Sequence, residues 1–184
     1  QLLGTSGTNT LVGTNSGGNL IDVRGGNDKI YGVGGDNTLF GDNGNDSVFG
    51  GSWEDTLLGR SGHDLLQGND GNDRIFGDSG SDRGFGGSGH DSLYGGLGND
   101  TLTGGSNADF MDGGDDNDRL FGRGGDDDLR GGLGSDFMSG GMGDDQLIGD
   151  DGADKMFGGD GDDTLNGGRD KDTIRGGDGN DEIN

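Results

Sequence analysis

The sequence predicts an all-β chain wound as a right-handed parallel β-roll (a β-solenoid), with two nonapeptides to each coil and about ten coils, and three observations predict it. An aliphatic residue recurs every nine residues from Val12 to Ile183, missing only at Gly84 among twenty places. An Asp stands two residues before it in seventeen of the twenty units. Gly fills the place seven before it in seventeen consecutive units, Gly32 to Gly176, and the place four before it in fifteen of twenty. The consensus is G-G-x-G-x-D-x-U-x with U aliphatic, and residues 5–184 read as twenty such units without an insertion. The expectation is one uninterrupted array over 1–184, degenerate over 1–40.

Composition says what such an array must do without. Of 184 residues 50 are Gly, 24% are hydrophobic and the formal net charge is −24. Chains that poor in apolar surface and that charged stay disordered unless something other than a hydrophobic core supplies free energy. Thirty-six Asp and Glu against 12 Lys and Arg argue against nucleic acid, anionic lipid or acidic polysaccharide as direct partners and make cations the natural ones. With no Cys there is neither a disulfide framework nor a thiolate metal site. No apolar run approaches the roughly 20 residues of a membrane span.

The strand comes first. Glycines at these densities exclude helix, since each costs about 1 kcal/mol against Ala. The three residues x-U-x are read as a short strand with U inward and its neighbours outward. The six residues before them are read as the turn, in which Gly at the first, second and fourth places supplies positive φ and close backbone approach. Two units close one coil, so strands of successive coils stack in parallel.

The turns then carry the chemistry. Parity puts Asp28, Asp46, Asp64, Asp82, Asp100, Asp118, Asp136, Asp154 and Asp172 on one edge of the roll. The other edge takes Asp55, Asp73, Asp91, Asp109, Asp127, Asp145, Asp163 and Asp181. Carboxylates stacked about 4.8 Å apart repel by about 1 kcal/mol per pair even in water. Two aliphatic side chains per coil are also too little to offset the entropy of ordering the two units that carry them. Ca2+ answers both deficits, because it takes six to eight hard oxygens and accepts carboxylates and main-chain carbonyls together. The expected ligands are the seventeen Asp side chains, with carbonyls of turn residues such as Gly95, Gly98, Gly131, Gly134, Gly158 and Gly161. Nine carboxylates leave eight gaps and eight leave seven, so about fifteen ions are expected between successive turns on both sides.

Units such as Gly95-Gly96-Leu97-Gly98-Asn99-Asp100-Thr101-Leu102-Thr103 and Gly158-Gly159-Asp160-Gly161-Asp162-Asp163-Thr164-Leu165-Asn166 match the consensus at every defined place. The chain resembles, over essentially its whole length, the RTX (repeats-in-toxin) hemolysin-type calcium-binding nonapeptide repeats, whose signature this is. The resemblance implies type I secretion of an unfolded chain that folds on meeting calcium outside the cell, hence an extracellular or cell-surface location. The resemblance alone does not say which kind of exported protein carries the array; the first expectation, from repeats that run uncapped to both ends, is a structural calcium-dependent segment of a surface-layer, filament or adhesin protein. The alternatives are the C-terminal secretion and folding module of an exported protease, lipase or toxin, and a calcium-dependent polysaccharide-binding module.

Departures from the consensus carry their own expectations. Thr10, Asn19 and Asn37 replace Asp and weaken the first sites, while Trp53, Asn107, Asp116 and Asp170 replace the fourth-place Gly. Gly84 leaves a hole in the core stack. His63 and His90 lie three units apart, on opposite edges, with no triad or zinc motif around them, so they are read as surface turn residues and the array as non-enzymatic. Phe40, Leu58, Phe76 and Tyr94 form an outward ladder, a candidate for lateral self-association. The chain starts mid-unit and stops in phase, which suggests a piece of a longer protein or copies stacked end to end.

Overall fold

The computed structural model describes residues 1–15 and 17–184, and strands are the only regular elements among them. No helix is therefore long and apolar enough to cross a membrane. Successive strands alternate between two sheets, one of eleven strands and one of ten, and the pairing is parallel throughout. Leu66 pairs with Gly84 and Gly84 with Leu102, so each step across the sheet advances the chain by two units. The molecule is a β-solenoid of about ten turns.

The strands are longer than the three residues read from the sequence, and the turns are shorter. Most strands run six residues, as in Thr38–Asn43 and Phe110–Asp115. They continue through the first two glycines of the next unit, which leaves only the fourth to sixth places as turn. Alternation explains the extension: with Met111 facing inward, the next inward position is Gly113, and both are buried.

The three consensus glycines are required for two different reasons. Second-place and fourth-place residues have positive φ, for example 111° at Gly96 and 112° at Gly98. Among the described residues every non-glycine with positive φ, from Arg24 to Asp170, also occupies one of these two places. First-place glycines do not have positive φ, contrary to the expectation for all three. They are required by space: a Cβ on Gly113 would lie 2.6 Å from Gly131 O and would overlap the Asp118 carboxylate.

One phase assignment is corrected at the start of the chain. Leu2 pairs with Ile21 and Leu11 with Ile30, one residue more than two full units, so the array contains one extra residue between Leu11 and Ile21. Leu11 packs against the core, and Val12 is 55% exposed. Asn9, not Thr10, stands at the head of the Asp column, its N–H donating to Asp28 Oδ1. Leu2-Leu3 and Leu11-Val12 are each a pair of adjacent aliphatics, so either register satisfies the apolar rule. The polar residue two places earlier decides between them.

The core is a double stack of single aliphatic side chains, Ile21 through Leu165, nearly all fully buried. Gly84 does not leave the expected hole. A Cβ there would lie 3.0 Å from Leu102 Cδ2 and 3.5 Å from Leu93 Cδ2, so neighbouring methyl groups already occupy most of the space. Outside, Phe40, Leu58, Phe76 and Tyr94 pair in register, and the ladder largely covers itself. The Phe76 and Tyr94 rings stack at 5.0 Å, and the Arg60 guanidinium lies 4.9 Å from the Phe40 ring centre.

Candidate metal centre

Each edge of the roll is a stack of tight turns, and the sixth-place Asp closes each turn. From Asp28 to Asp163 these carboxylates are buried, while Asp172 and Asp181 at the column ends are half-buried. One oxygen of each carboxyl links coils: Asp46 Oδ1 accepts the Asp28 N–H at 2.7 Å and Asp100 Oδ1 that of Asp82 at 2.7 Å. On the other edge Asp127 Oδ1 accepts the Asp109 N–H at 2.8 Å, and Asp181 closes the column on Asp163 at 3.1 Å.

The second oxygen has no partner. Among the described residues fifteen Oδ2 atoms are buried without a hydrogen bond, eight on one edge and seven on the other. They belong to every sixth-place Asp except the column-end Asp172 and Asp181. Buried polar atoms are normally satisfied, so fifteen identical exceptions at one structural place call for a common cause.

Main-chain oxygens converge on the same places. Beside first-place Gly41 lie Asp46 Oδ2 of the same unit and the carbonyl of Gly59, one coil on. Gly77 meets Asp82 Oδ2 and Gly95 O in the same way, and Gly113 meets Asp118 Oδ2 and Gly131 O. Fourth-place carbonyls point along the edge toward the following coil, as Gly134 O does toward Gly152 and Gly161 O toward Gly179. Among the described residues no three Asp, Glu, His or Cys side chains form a cluster able to hold a metal. A cation between turns would therefore draw on a pair of carboxylates plus carbonyls. That donor set is all hard oxygen, which suits Ca2+ and serves zinc and other nitrogen- or sulfur-seeking metals poorly.

Electrostatics sharpen the same point. Burial raises the column carboxyls to about 7 at Asp46, Asp73, Asp82, Asp109 and Asp145. Asp64, Asp100, Asp127 and Asp154 rise to about 6, and Asp118 to about 8. Asp55, Asp91, Asp136 and Asp163 are raised as well. The N–H bond to Oδ1 works against burial, while carboxylates above and below add to the rise, as Asp64 and Asp28 do at Asp46. With protein groups alone, each column resists holding all of its charge at neutral pH.

The degenerate first coils solve the same problem with nitrogen. Asn37 Nδ2 donates to Gly35 O at 2.6 Å and to Asp55 Oδ1 at 2.7 Å. Asn19 Nδ2 donates to Gly32 O at 3.2 Å and to Asn37 Oδ1 at 2.6 Å. An amide N–H2 here satisfies oxygens that an Asp unit leaves facing a second carboxylate oxygen.

A second ladder, not evident from the sequence, runs through the fifth place, where the consensus tolerates several residue types. Asn45 N–H donates to Asn27 Oδ1 at 3.0 Å, His63 N–H to Asn45 Oδ1 at 2.9 Å, and Ser81 N–H to His63 Nδ1 at 2.8 Å. On the other edge Asp144 N–H donates to Asp126 Oδ1 at 2.9 Å and Asp162 N–H to Asp144 Oδ1 at 2.8 Å. The signal was present in composition: the linking residues are short side chains or imidazoles that carry an acceptor. His63 and His90 are thus surface turn residues on opposite edges, and they also take part in these coil-to-coil links.

No curated protein matches the chain. The family model of the RTX calcium-binding nonapeptide repeat (4 copies) matches residues 3–32, 22–52, 49–84, 85–120, 112–147, 121–156 and 157–184, nearly the whole array. The repeat, the parallel solenoid and the oxygen-lined edges agree with that match, and the chain belongs to the RTX calcium-binding nonapeptide repeat family.

Proposed function

We propose that the array is a structural element whose folding is driven by calcium, and that it serves as a segment of an extracellular surface-layer, filament or adhesin protein, with no catalytic role of its own. About fifteen Ca2+ ions lie between successive turns. The side chains from Asp28 to Asp172 on one edge and from Asp55 to Asp181 on the other hold them, together with first-place and fourth-place carbonyls such as those of Gly95, Gly98, Gly131, Gly134, Gly158 and Gly161. The observation that carries this reading is the set of fifteen buried Oδ2 atoms without a partner. Their split of eight and seven supports one ion for each gap between consecutive carboxylates. Fifteen dications would more than offset the net charge of −24, which makes the acidic excess part of the filled structure.

When bound, calcium supplies the counter-charge that lets the columns stay ionised while buried. The protein's part is to present oxygens at a fixed spacing through glycine-permitted turns. Equilibrium dialysis with elemental analysis tests the reading: about fifteen ions per chain should be retained at saturating calcium. A chain that folds fully while holding only one or two ions would overturn it.

A further inference from the structure

The net charge of −24 hides a division between the two broad faces. On the ten-stranded sheet, the consecutive strands Arg83–Ser88, Thr101–Ser106, Arg119–Gly124 and Phe137–Met142 contain no acidic residue. They carry Arg83, Arg119 and Arg123, and the next strand, Lys155–Asp160, begins with Lys155 and ends with Asp160, the one acid in the five strands. Register places Arg83, Thr101, Arg119, Phe137 and Lys155 in one row. A cation therefore recurs every second coil, roughly 9–10 Å apart. The cations lie over rings: Arg83 is 5.5 Å from the Phe85 ring centre, Arg119 5.7 Å from that of Phe137, and Lys155 5.6 Å from that of Phe157.

The eleven-stranded sheet has the opposite character behind this strip. Strands Phe110–Asp115, Asp128–Leu133 and Gln146–Asp151 hold Asp112, Asp115, Asp128, Asp150 and Asp151 against one cation, Arg130. One row across it reads Leu97, Asp115, Leu133, Asp151, so acid and leucine alternate with the same two-coil period as the cations. Leu97 is 56% and Leu133 51% exposed. The ion pairs among the described residues, Arg60–Asp42, Arg130–Asp150 and Arg169–Asp151, all lie on this sheet's side. None involves Arg83, Arg119, Arg123 or Lys155.

We propose that this cationic face of one copy docks on the acidic face of a second copy, roll axes aligned, with the row Arg83, Arg119, Lys155 against the row Asp115, Asp151. Both faces share the strand-stacking distance, so charges that match at one pair match two coils further on. Leu97 and Leu133 meet the aromatic rings between the charges. The two faces lie on opposite sides of the same roll, so the contact is heterologous and propagates into an open stack. Five strands about 20 Å long bury on the order of 1,000 Å² in total, the lower end for a specific interface, so association is weak, concentration-dependent and salt-sensitive.

This inference rests on the calcium-loaded roll proposed above, and the test separates the two. Sedimentation velocity of the full chain at saturating calcium should show self-association that weakens with added salt. The triple variant Arg83→Glu, Arg119→Glu, Lys155→Glu and the double variant Asp115→Lys, Asp151→Lys should each associate at least about tenfold more weakly, and an equimolar mixture of the two should recover the original strength. A folded chain that stays monomeric, charge reversals without effect, or a mixture that does not recover would overturn the docking. So would binding of an acidic polysaccharide to the cationic face in the absence of self-association. Circular dichroism on the same samples reports folding: a roll that folds with calcium yet does not associate contradicts only the docking, whereas no calcium-induced folding would overturn both.

Discussion

Trp53 holds a fourth-place φ of 85° and is 67% exposed, so it bears the backbone cost of a left-handed conformation with little burial in return. Trp53→Gly is expected to stabilise the roll by about 1 kcal/mol, read as a lower calcium concentration at the folding midpoint. Asp100 separates two roles of one side chain: Oδ1 accepts the Asp82 N–H, and Oδ2 is the partnerless atom assigned to calcium. Asp100→Ala should lose both, lowering the retained ions by one or two and destabilising the calcium-loaded roll. Asp100→Asn should lose the ions yet stabilise the roll in chelator, because its amide can donate as Asn37 does to Gly35 O and Asp55 Oδ1. Titration by circular dichroism with parallel elemental analysis distinguishes the two variants. The two columns of Asp residues were legible because a residue recurring at a fixed interval in a solenoid must stack at one place in every coil. The fifth-place ladder was not, because any short side chain with an acceptor, whether Asn27, His63 or Asp144, makes the same link.

At the scale of the turn and strand, the three consensus glycines look alike in sequence and differ in cause. Gly113→Ala should damage the coil through overlap with Gly131 O and the Asp118 carboxylate, raising the calcium midpoint severalfold and costing on the order of 2–3 kcal/mol. Gly124→Ala should be nearly neutral, since its φ is not positive and a Cβ there would meet only the flexible end of Met142 at 3.4 Å. Calcium-dependent dichroism of the pair checks this. The Asp columns predict a pH response whose sign depends on calcium. Burial holds Asp64 at about 6, Asp46 at about 7 and Asp118 at about 8, above the ordinary 3.8, so their ionisation is penalised in the folded state. Without calcium the roll is least stable above pH 8, gains stability as pH falls through 8 to 6, and stops gaining once unfolded carboxyls protonate near 4. In chelator, β signal should therefore rise on acidification from pH 8 to 5. With calcium the same acidification should raise the midpoint calcium concentration, because protons compete for the ligand oxygens. Strand length was not legible for a related reason: glycine disfavours strands in general, and only the stacked coils show that the first-place glycine belongs to the ladder.

For the whole molecule, the period of nine was enough to give the solenoid, the two edges and the inward aliphatic stack, because each unit is too small to bury anything alone and must stack. It misplaced the first coil by one residue, where Leu2-Leu3 and Leu11-Val12 each offer two apolar candidates and Asn9 resolves them. The separation of charge between faces was hidden by the total of −24, since the sum does not record that the acids lie mainly on the edges and on one sheet. What holds the molecule together is, on this account, a narrow aliphatic stack bordered by two columns of buried oxygens that protein groups alone leave unsatisfied. In the function proposed above, calcium completes this structure. The most direct test is far-ultraviolet circular dichroism of the chain in millimolar calcium and after chelation. The expected result is a β-rich spectrum that collapses to that of a disordered chain on chelation and returns when calcium is restored. A β-rich spectrum that chelation leaves unchanged at neutral pH would contradict it.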